Sequence, residues 1–269
     1  MERIDIKLWD GDIPYYKDEL DTPNLLEFYP VESDKPLPCA LIMPGGSYHY
    51  REKGENLPIA EFFYKNGIHA AVVSYRVEPN RFPAPLADAQ RAIKLLRHNA
   101  DKWNIDPDKI VSVGFSAGGH LAASTITLPD VLTGDAVRDE ADKQSALPNA
   151  AILAYPVISV EEEFGHVNSG KNLLGDDYEE LKSEFSLQNR VHASTPPVFI
   201  WHTVEDSCVN VKNTLVFGEA LRDAGIPFEM HIYPRGRHGL ALAEGFDDVK
   251  GWSALALDWL DRNIFAEKK

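Results

Sequence analysis

The chain has 269 residues, of which 44% are hydrophobic, and this length and composition predict one domain over 1–269 with a substantial core. Lysine and arginine number 27 against 42 aspartate and glutamate residues, which gives a formal net charge of −15. This charge repels nucleic acid and anionic lipid surfaces, and no run of residues has the length and apolar character of a membrane span, so we expect neither as a partner.

Short apolar runs rich in β-branched residues alternate with helical patterns along most of the chain. Two runs predict antiparallel edge strands near 2–8 and 24–30, and six further strands are predicted at 39–44, 69–75, 109–115, 150–156, 197–202 and 227–234. Apolar residues spaced three and four apart predict helices at 56–67, 85–103, 211–225 and 249–265. This alternation is typical of an α/β fold with a doubly wound, mostly parallel sheet and helices on both faces.

Two polar, charged segments interrupt the alternation at about 127–148 and 157–195. Each is longer than the few residues that usually connect a strand to a helix. Insertions of this length act as lids or binding loops, or stay disordered, and we interpret these two as lid-like loops inserted in a single domain.

The stretch VSVGFSAGGHLAAS at 111–124 places a serine, Ser116, in a turn between a β-branched run and a helical pattern. Gly114 and Gly118 flank it in the G-x-S-x-G pattern of a nucleophile elbow, where side chains at the two glycine positions would collide across the turn. The pattern predicts an exposed hydroxyl above the N-terminus of the following helix. We therefore interpret Ser116 as a nucleophile.

A serine hydroxyl becomes an effective nucleophile only when a histidine accepts its proton and an acid orients that histidine. Asp206 directly follows one predicted strand, and His238 follows the next. Because the carboxyl ends of parallel strands meet at one edge of a sheet, Ser116, Asp206 and His238 are predicted to converge from three loops.

Acyl transfer also needs backbone N–H groups aimed at the oxygen that becomes negative in the tetrahedral intermediate. One predicted donor is the N–H of Ala117, directly after the nucleophile. The others come from the loop that contains Gly45, Gly46 and Ser47, where glycines allow the backbone to approach the substrate closely.

These motifs together resemble a known family. The segments at 44–63, 70–76, 83–124, 202–209 and 236–240 resemble α/β-hydrolase esterases related to hormone-sensitive lipase, and above all the bacterial acetyl-xylan and related carbohydrate esterases. The likeness extends over about 38–265. It implies the α/β-hydrolase fold. It also implies Ser116 as the nucleophile, Asp206 as the acid and His238 as the base. The oxyanion donors that it implies are the N–H groups of Gly46, Ser47 and Ala117.

The chain departs from the lipase-like pattern at one place. It has Pro44-Gly45-Gly46-Ser47 where that pattern has His-Gly-Gly-Gly. The change preserves the backbone donors but alters the loop that contributes to substrate preference.

The resemblance implies a serine carboxylesterase that hydrolyses short-chain esters, acetyl esters above all, on acetylated sugars or xylo-oligosaccharides through an acyl-enzyme. No cofactor is expected, and no histidine spacing indicates a metal site. The N-terminus lacks the cationic stretch and apolar core of an export signal, so we expect a cytoplasmic protein that acts on imported oligosaccharides. The oligomeric state is open, with a homodimer among the alternatives.

Three other functions are compatible with the same fold. An amide or formamide hydrolase similar to kynurenine formamidase would use the same triad, as would a small peptidase related to the prolyl oligopeptidase catalytic domain. A catalytically silent binding module would retain the fold alone, although the complete triad argues against it.

Some reactive side chains near these motifs also have structural interpretations. Glu205 is the rival of Asp206 as the acid, and Asp206 has the alternative role of capping the next helix. His120 and His202 are expected to pack or to satisfy backbone groups.

Four further residues are interpreted as structural. Cys39 and Cys208 are expected to be packed, unpaired thiols in a reducing compartment, and Arg76 and Asp88 to form an ion pair. The aromatic run at 48–50 contains candidate pocket walls.

Overall fold

The structure is a computed structural model that describes residues 1–16 and 23–266. Within those ranges one sheet has eight strands: β1 (Ile4–Lys7), β2 (Leu25–Tyr29), β3 (Leu37–Met43), β4 (His69–Ser74), β5 (Ile105–Phe115), β6 (Ala150–Ala154), β7 (Val198–Thr203) and β8 (Phe228–Tyr233). The spatial order is β1-β2-β4-β3-β5-β6-β7-β8. The six predicted central strands and the two predicted edge strands are all confirmed.

The sheet is mostly parallel, as the alternation predicted. β1 pairs with β2 and β2 with β4 in antiparallel fashion, and every pair from β4 through β3 to β8 is parallel. The register sets Met43 beside Gly114, and Phe115 beside Ala154. The loops that follow β3, β5 and β6 therefore begin side by side at one edge of the sheet.

The helices are α1 (Leu57–Lys65), α2 (Ala84–His98), α3 (Ala100–Trp103), α4 (Ala117–Thr127), α5 (Val167–Leu174), α6 (Tyr178–Leu181), α7 (Lys212–Asp223) and α8 (Trp252–Leu260). The helix predicted at 85–103 is divided at Asn99 into α2 and α3, and the last predicted helix begins only at Trp252 and ends in a π-helical turn, Asp261–Phe265. Among the described helices, none combines the length and apolar character needed to cross a bilayer.

Two hydrophobic layers cover the sheet. One contains buried side chains of α2, α4 and α7, such as Leu96, Leu121 and Phe217. The other contains side chains of α1 and α8, such as Phe63 and Trp252. The helices on both faces, together with the strand order, give the doubly wound α/β architecture that the sequence predicted.

The inserted segment at 127–148 covers the outer side of α2, so that this helix is buried on nearly its whole circumference. Arg91 Nη1 lies 2.8 Å from Asp142 Oδ1, and Lys94 Nζ lies 2.7 Å from Asp130 Oδ2. Buried charges are tolerated only when they are paired, so these contacts explain why α2 has charged residues on a buried face.

The predicted ion pair between Arg76 and Asp88 is confirmed as a buried contact. Arg76 Nη2 lies 2.9 Å from Asp88 Oδ1, and both side chains are almost inaccessible. Trp9 Nε1 also donates to Asp88, at 2.9 Å. These contacts join the residues after β1 and β4 to α2.

Candidate active site

Ser116 occupies a strained turn between β5 and α4. Its φ and ψ of 54° and −120° are rare for a residue with a side chain, and its N–H donates to the Ala154 carbonyl at 3.0 Å. A Cβ on Gly114 would lie 2.2 Å from the Gly118 carbonyl oxygen, and one on Gly118 would lie 2.0 Å from the Met43 carbonyl oxygen. The two glycines are therefore required by direct backbone contact, which is the reason for the G-x-S-x-G pattern.

The structure brings together the three side chains predicted to converge. His238 Nε2 lies 2.8 Å from Ser116 Oγ, and His238 Nδ1 lies 2.6 Å from Asp206 Oδ2. An ionised carboxylate can only accept, so the proton between His238 and Asp206 belongs to Nδ1 and Nε2 is left to accept from the serine hydroxyl. This is the arrangement that proton removal from a serine requires.

Of the two candidate acids, Asp206 contacts the histidine. Glu205 is exposed, and its Oε2 accepts from the Gly236 N–H at 3.2 Å. Asp206 Oδ1 accepts from the N–H groups of Cys208 and Val209, each at 2.9 Å, so the same residue also caps its own turn. The capping role and the contact with His238 use different oxygens of one carboxylate.

Asp206 has a second histidine partner that was interpreted from the sequence only as a packing residue. His202 Nε2 lies 3.2 Å from Asp206 Oδ2 and 3.0 Å from the Val209 carbonyl, so Nε2 bears the proton, and Nδ1 is left to accept from Thr214 Oγ1 at 2.8 Å. Burial alone would raise the pKa of Asp206, but the hydrogen bonds from His202 and His238 outweigh it and hold that pKa well below its usual range. The carboxylate therefore stays ionised. The available signal was the place of His202 at the end of the strand that precedes the acid.

The loop after β3, which contains the predicted oxyanion donors Gly46 and Ser47, has an unusual backbone conformation. Gly46, Ser47 and Tyr48 all have positive φ, of 124°, 56° and 58°. A Cβ on Gly46 would lie 2.2 Å from the Tyr50 carbonyl oxygen, so only glycine fits there. Ala117 is the first residue of α4, directly after the nucleophile.

The predicted oxyanion donors have no competing acceptor. Among the hydrogen bonds of the described ranges, none uses the N–H of Gly46, Ser47 or Ala117. Gly46 and Ser47 line the same cavity as Ser116, and Ala117 is buried behind it. The first turn of a helix and a loop of successive N–H groups are both favourable surroundings for a negative oxygen.

The cavity in front of Ser116 has a volume of about 390 Å³. Its lining has both polar and apolar surface, and it consists of Gly45, Gly46, Ser47, Tyr50, Glu52, Gly54, Glu55, Ser116, Cys208, Arg237, His238, Gly239 and Ala241. This volume lies at the lower end of the range for small-molecule sites. Within the described part of the chain, no cluster of histidine, cysteine and acidic residues could hold a metal ion.

Of the aromatic run at 48–50, only Tyr50 lines the cavity. Tyr48 is buried and its hydroxyl lies 2.8 Å from His120 Nδ1, while His49 is exposed and pairs with Glu78. His120 is thus a packed histidine, as the sequence interpretation held.

The interpretation of Cys208 as a packed thiol is wrong, whereas Cys39 is buried as expected. Cys208 is exposed in the wall of the cavity, with its Sγ 3.9 Å from His166 Nε2. Partial burial of the sulfur and the negative charge of Asp206 raise the pKa of Cys208, which favours the protonated thiol at neutral pH. Its place beside the acid in the sequence gave no sign of exposure, because exposure depends on the segment packed opposite.

Glu55 is a buried acid in the cavity wall that the sequence analysis did not single out. Its Oε2 accepts from the Gly45 N–H and its Oε1 from the Tyr155 hydroxyl, both at 2.7 Å. Burial raises the pKa of this carboxyl, although its two hydrogen bonds oppose that effect. No local pattern distinguishes Glu55 from the neighbouring exposed Glu52.

The inserted segment at 157–195 reaches the site through α5. Asn172 Nδ2 donates to the Ser47 carbonyl at 2.8 Å, and the Phe82 N–H donates to the Leu173 carbonyl at 2.8 Å. The segment therefore supports the loop after β3 from outside. No described residue of either segment lines the cavity. The other segment, 127–148, covers α2, so the two insertions differ in what they contact.

Comparison with known proteins identifies the relatives of this fold and site. Residues 26–221 match the model of the BD-FAE family. The crystal structure of an acetyl ester-xyloside bifunctional hydrolase from Caldicellulosiruptor lactoaceticus is 42% identical, with a TM-score of 0.91 over 98% of this chain and 97% of that one. A carboxylesterase from Lactobacillus plantarum, Cest-2923, is 26% identical, with a TM-score of 0.81 over the whole of both chains.

Two curated relatives are larger proteins. Endo-1,4-beta-xylanase B of Butyrivibrio fibrisolvens is 39% identical over 86% of this chain and 36% of its own length. The acetylxylan esterase of Xylanibacter ruminicola is 33% identical over 76% of this chain and 41% of its own length. The chain thus spans about two fifths of the length of these relatives. The comparisons confirm the predicted α/β-hydrolase fold and the predicted resemblance to bacterial acetyl-xylan esterases.

Proposed function

This chain belongs to the BD-FAE family, and from that premise we propose that it is a serine carboxylesterase that removes short acyl groups, acetyl above all, from acetylated sugars or xylo-oligosaccharides. The observation that supports the proposal most directly is the hydrogen-bond chain from Ser116 through His238 to Asp206. Several relatives are themselves named as esterases, among them an acetylxylan esterase and a carboxylesterase.

The first half of the reaction forms an acyl-enzyme. Ser116 Oγ attacks the ester carbonyl carbon while His238 Nε2 takes its proton, and ionised Asp206 stabilises the imidazolium that results. The carbonyl oxygen becomes negative and is stabilised by the N–H groups of Gly46 and Ser47 with that of Ala117. His238 then protonates the alcohol oxygen, the carbon–oxygen bond breaks, and the sugar leaves.

The second half of the reaction returns the enzyme to its starting state. A water molecule gives its proton to His238 Nε2 and attacks the acyl carbon, the same N–H groups stabilise the second tetrahedral intermediate, and the acid is released as Ser116 Oγ regains its proton. Every proton in this cycle is exchanged between Ser116, His238, water and substrate, so the residues of this chain perform it without a cofactor.

The size of the cavity and the polar side chains in its wall are compatible with a short acyl group on a polar alcohol. The volume of about 390 Å³ suits a small substrate, and Glu52 and Arg237 lie in the same wall as Ser116. The names of an acetylxylan esterase and an acetyl ester-xyloside hydrolase among the relatives agree with an acetylated xylose unit.

The cytoplasmic location and the oligomeric state stay predictions. A cytoplasmic enzyme would meet imported acetylated oligosaccharides and not the polymer, so the proposed substrate is the oligosaccharide.

The test is release of acetate from acetylated xylo-oligosaccharides, with p-nitrophenyl acetate as a reference ester. We expect Ser116→Ala to lower kcat by at least about 10⁴-fold, and Asp206→Asn by roughly 10³- to 10⁴-fold, because the asparagine would favour the wrong tautomer of His238. Ser124→Ala is the matched control, since Ser124 is a buried serine on α4 whose hydroxyl donates to the His120 carbonyl at 2.8 Å.

Each result has a defined meaning for the proposal. Activity on both substrates that is lost in Ser116→Ala supports it. Activity on the reference ester alone would contradict the proposed sugar substrate. If the wild-type enzyme hydrolyses only an aryl formamide, the proposed esterase activity would be wrong and the protein would be an amide hydrolase. Equal activity of Ser116→Ala and Ser124→Ala would overturn the proposed nucleophile.

A further inference from the structure

Two loops of the candidate site come from distant parts of the chain and yet share one buried hydrogen-bond path. One is the loop after β3, which contains the oxyanion donors. The other is the loop after β8, which contains His238. The path between them consists of Glu55 and Tyr155, neither of which takes part in the proton transfers described above.

The path has three hydrogen bonds. The Ala241 N–H donates to the Tyr155 hydroxyl at 2.9 Å, the Tyr155 hydroxyl donates to Glu55 Oε1 at 2.7 Å, and the Gly45 N–H donates to Glu55 Oε2 at 2.7 Å. Glu55 and Tyr155 are 3% and 1% exposed. Few water molecules can therefore replace these bonds when one is broken.

The donors and acceptors along the path allow only one orientation of its hydrogen bonds. The Ala241 N–H can only donate, so the Tyr155 oxygen accepts from it and the phenolic proton points to Glu55. The Gly45 N–H also donates, so the Glu55 carboxyl receives a bond from each side. A glutamine at position 55 would offer one acceptor and one donor, and would leave one of the two sides unpaired.

Each end of the path lies close to a reacting group. A Cβ on Gly45 would lie 2.9 Å from Glu55 Oε2 and also 2.9 Å from Ser116 Cβ, so these two atoms are within about 6 Å of each other. At the other end, the ring of Tyr155 packs edge-on against that of His238, with 5.0 Å between centroids. A displacement of Tyr155 would therefore reach the histidine ring directly.

The loop at the histidine end is held in an unusual conformation. Ala241 has a φ of 49°, which is disfavoured for alanine, and its carbonyl accepts from Trp252 Nε1 at 3.0 Å. Such a conformation persists only when surrounding contacts determine it, and the bond to Tyr155 is one of those contacts.

We propose that Glu55 and Tyr155 are positioning residues that couple the oxyanion loop to the histidine loop, so that the N–H donors and His238 are held in register for the same transition state. This inference rests on the proposed esterase function. The buried carboxylate is costly by itself, and burial raises the pKa of Glu55. The hydrogen bonds by which Glu55 joins the two loops explain why a carboxyl group is buried at this position.

The kinetic test uses Tyr155→Phe, Glu55→Gln and the double variant. We expect each single variant to lower kcat on p-nitrophenyl acetate by roughly 10- to 100-fold with KM changed less than about twofold, because the bonds act on transition-state geometry. The double variant is expected to be no slower than the slower single variant, since both substitutions break one path.

Tyr178→Phe is the matched control. Tyr178 is also buried, and its hydroxyl donates to the Val160 carbonyl at 2.7 Å in a region that does not line the cavity. We expect its kcat to equal that of the wild type. Single variants with wild-type kcat, or a double variant whose losses multiply, would overturn the coupling.

A second measurement does not depend on ester hydrolysis. In Tyr155→Phe, amide hydrogen exchange followed by NMR should become faster at both Ala241 and Gly45, although the substitution removes a bond only to the former. Faster exchange at Ala241 alone would overturn the coupling. A wild-type protein without esterase activity would instead overturn the proposed function, and the exchange result would still decide whether the two loops are linked.

Discussion

The two inserted segments look alike in the sequence and serve different parts of the molecule. Both are long, polar and charged, yet 127–148 packs against α2 through buried ion pairs, whereas 157–195 packs beside the catalytic cavity through hydrogen bonds to loops. The first segment contacts Arg91 and Lys94 of α2, and the second contacts neighbouring loops through Asn172 and the Leu173 carbonyl, among other groups.

This difference shows that length and composition identify an insertion but not its role. A segment held by buried charges should contribute mostly to stability, because a charge that loses its partner in the interior costs several kcal/mol. A segment that supports a loop of the site should contribute mostly to catalysis. The following three predictions separate these contributions.

The largest effect is expected from Arg91→Met, which removes the partner of the fully buried Asp142. We expect the free energy of unfolding to fall by about 3–5 kcal/mol, with kcat within twofold of the wild type, because the uncompensated carboxylate lies far from the cavity. Urea denaturation and ester hydrolysis measure the two quantities.

Arg97→Met is the control for this change, since Arg97 lies on the same helix and contacts the same segment by donating to the Ser145 and Leu147 carbonyls. Its loss of stability should stay below about 1 kcal/mol. Equal destabilisation by the two substitutions would show that the buried pair is not what holds 127–148.

A smaller effect, now on catalysis, is expected from Asn172→Ala. Loss of the bond to the Ser47 carbonyl should lower kcat about tenfold, which corresponds to roughly 1.4 kcal/mol, and should lower the free energy of unfolding by about 1 kcal/mol or less. Asn189→Ala is the control, because the Asn189 amide donates to Ser183 within the same segment. A wild-type kcat in Asn172→Ala would argue that 157–195 does not support the oxyanion loop.

The smallest expected effect is a difference in the pH at which the two segments lose stability. His120 Nε2 donates to the Phe185 carbonyl of 157–195, and burial lowers the pKa of His120 from 6.5 to about 4. The folded state thus binds this proton less readily than the unfolded chain does. The stabilisation is present above about pH 6.5 and is lost as the pH falls towards about 4.

The other segment should respond only at lower pH. The hydrogen bond from Arg91 lowers the pKa of Asp139 from 3.8 to about 2, so this contribution is present above about pH 3.8 and is lost as the pH falls towards about 2. On acidification we therefore expect amide exchange, corrected for intrinsic rates, to increase in 157–195 first, by roughly fivefold to tenfold at pH 5.5. In His120→Gln this increase should become smaller, and the part that stays is expected from His166, whose pKa burial also lowers. Simultaneous opening of both segments would contradict the assignment.

Much of the candidate site could be predicted because its motifs are local. The glycines around Ser116 are required by backbone contacts within one turn, and Asp206 and His238 each follow a recognisable strand in the order that an α/β hydrolase uses. The loop at 44–47 was identified by its glycines for the same reason. The proximity of the three side chains then followed from the parallel sheet, since its strands end at one edge.

The residues that were not predicted make contacts that no local pattern indicates. His202 and Asp206 are near in sequence, but their contact depends on the bend after β7. Glu55 precedes α1 and meets Tyr155, which directly follows β6 and is 100 residues away in the chain. Cys208 was expected to be packed, and the space beside His166 leaves it exposed.

The sequence by itself determined the strands, the helices, the elbow and the chain order of the three reactive side chains, because periodicity and turn chemistry are properties of neighbouring residues. Only the tertiary structure decided which of two similar insertions reaches the site, which buried acid joins its loops and which thiol faces the cavity. Those outcomes depend on contacts between residues far apart in the chain. Local sequence propensity does not include such contacts, because they form only when the whole sheet and its helices have packed.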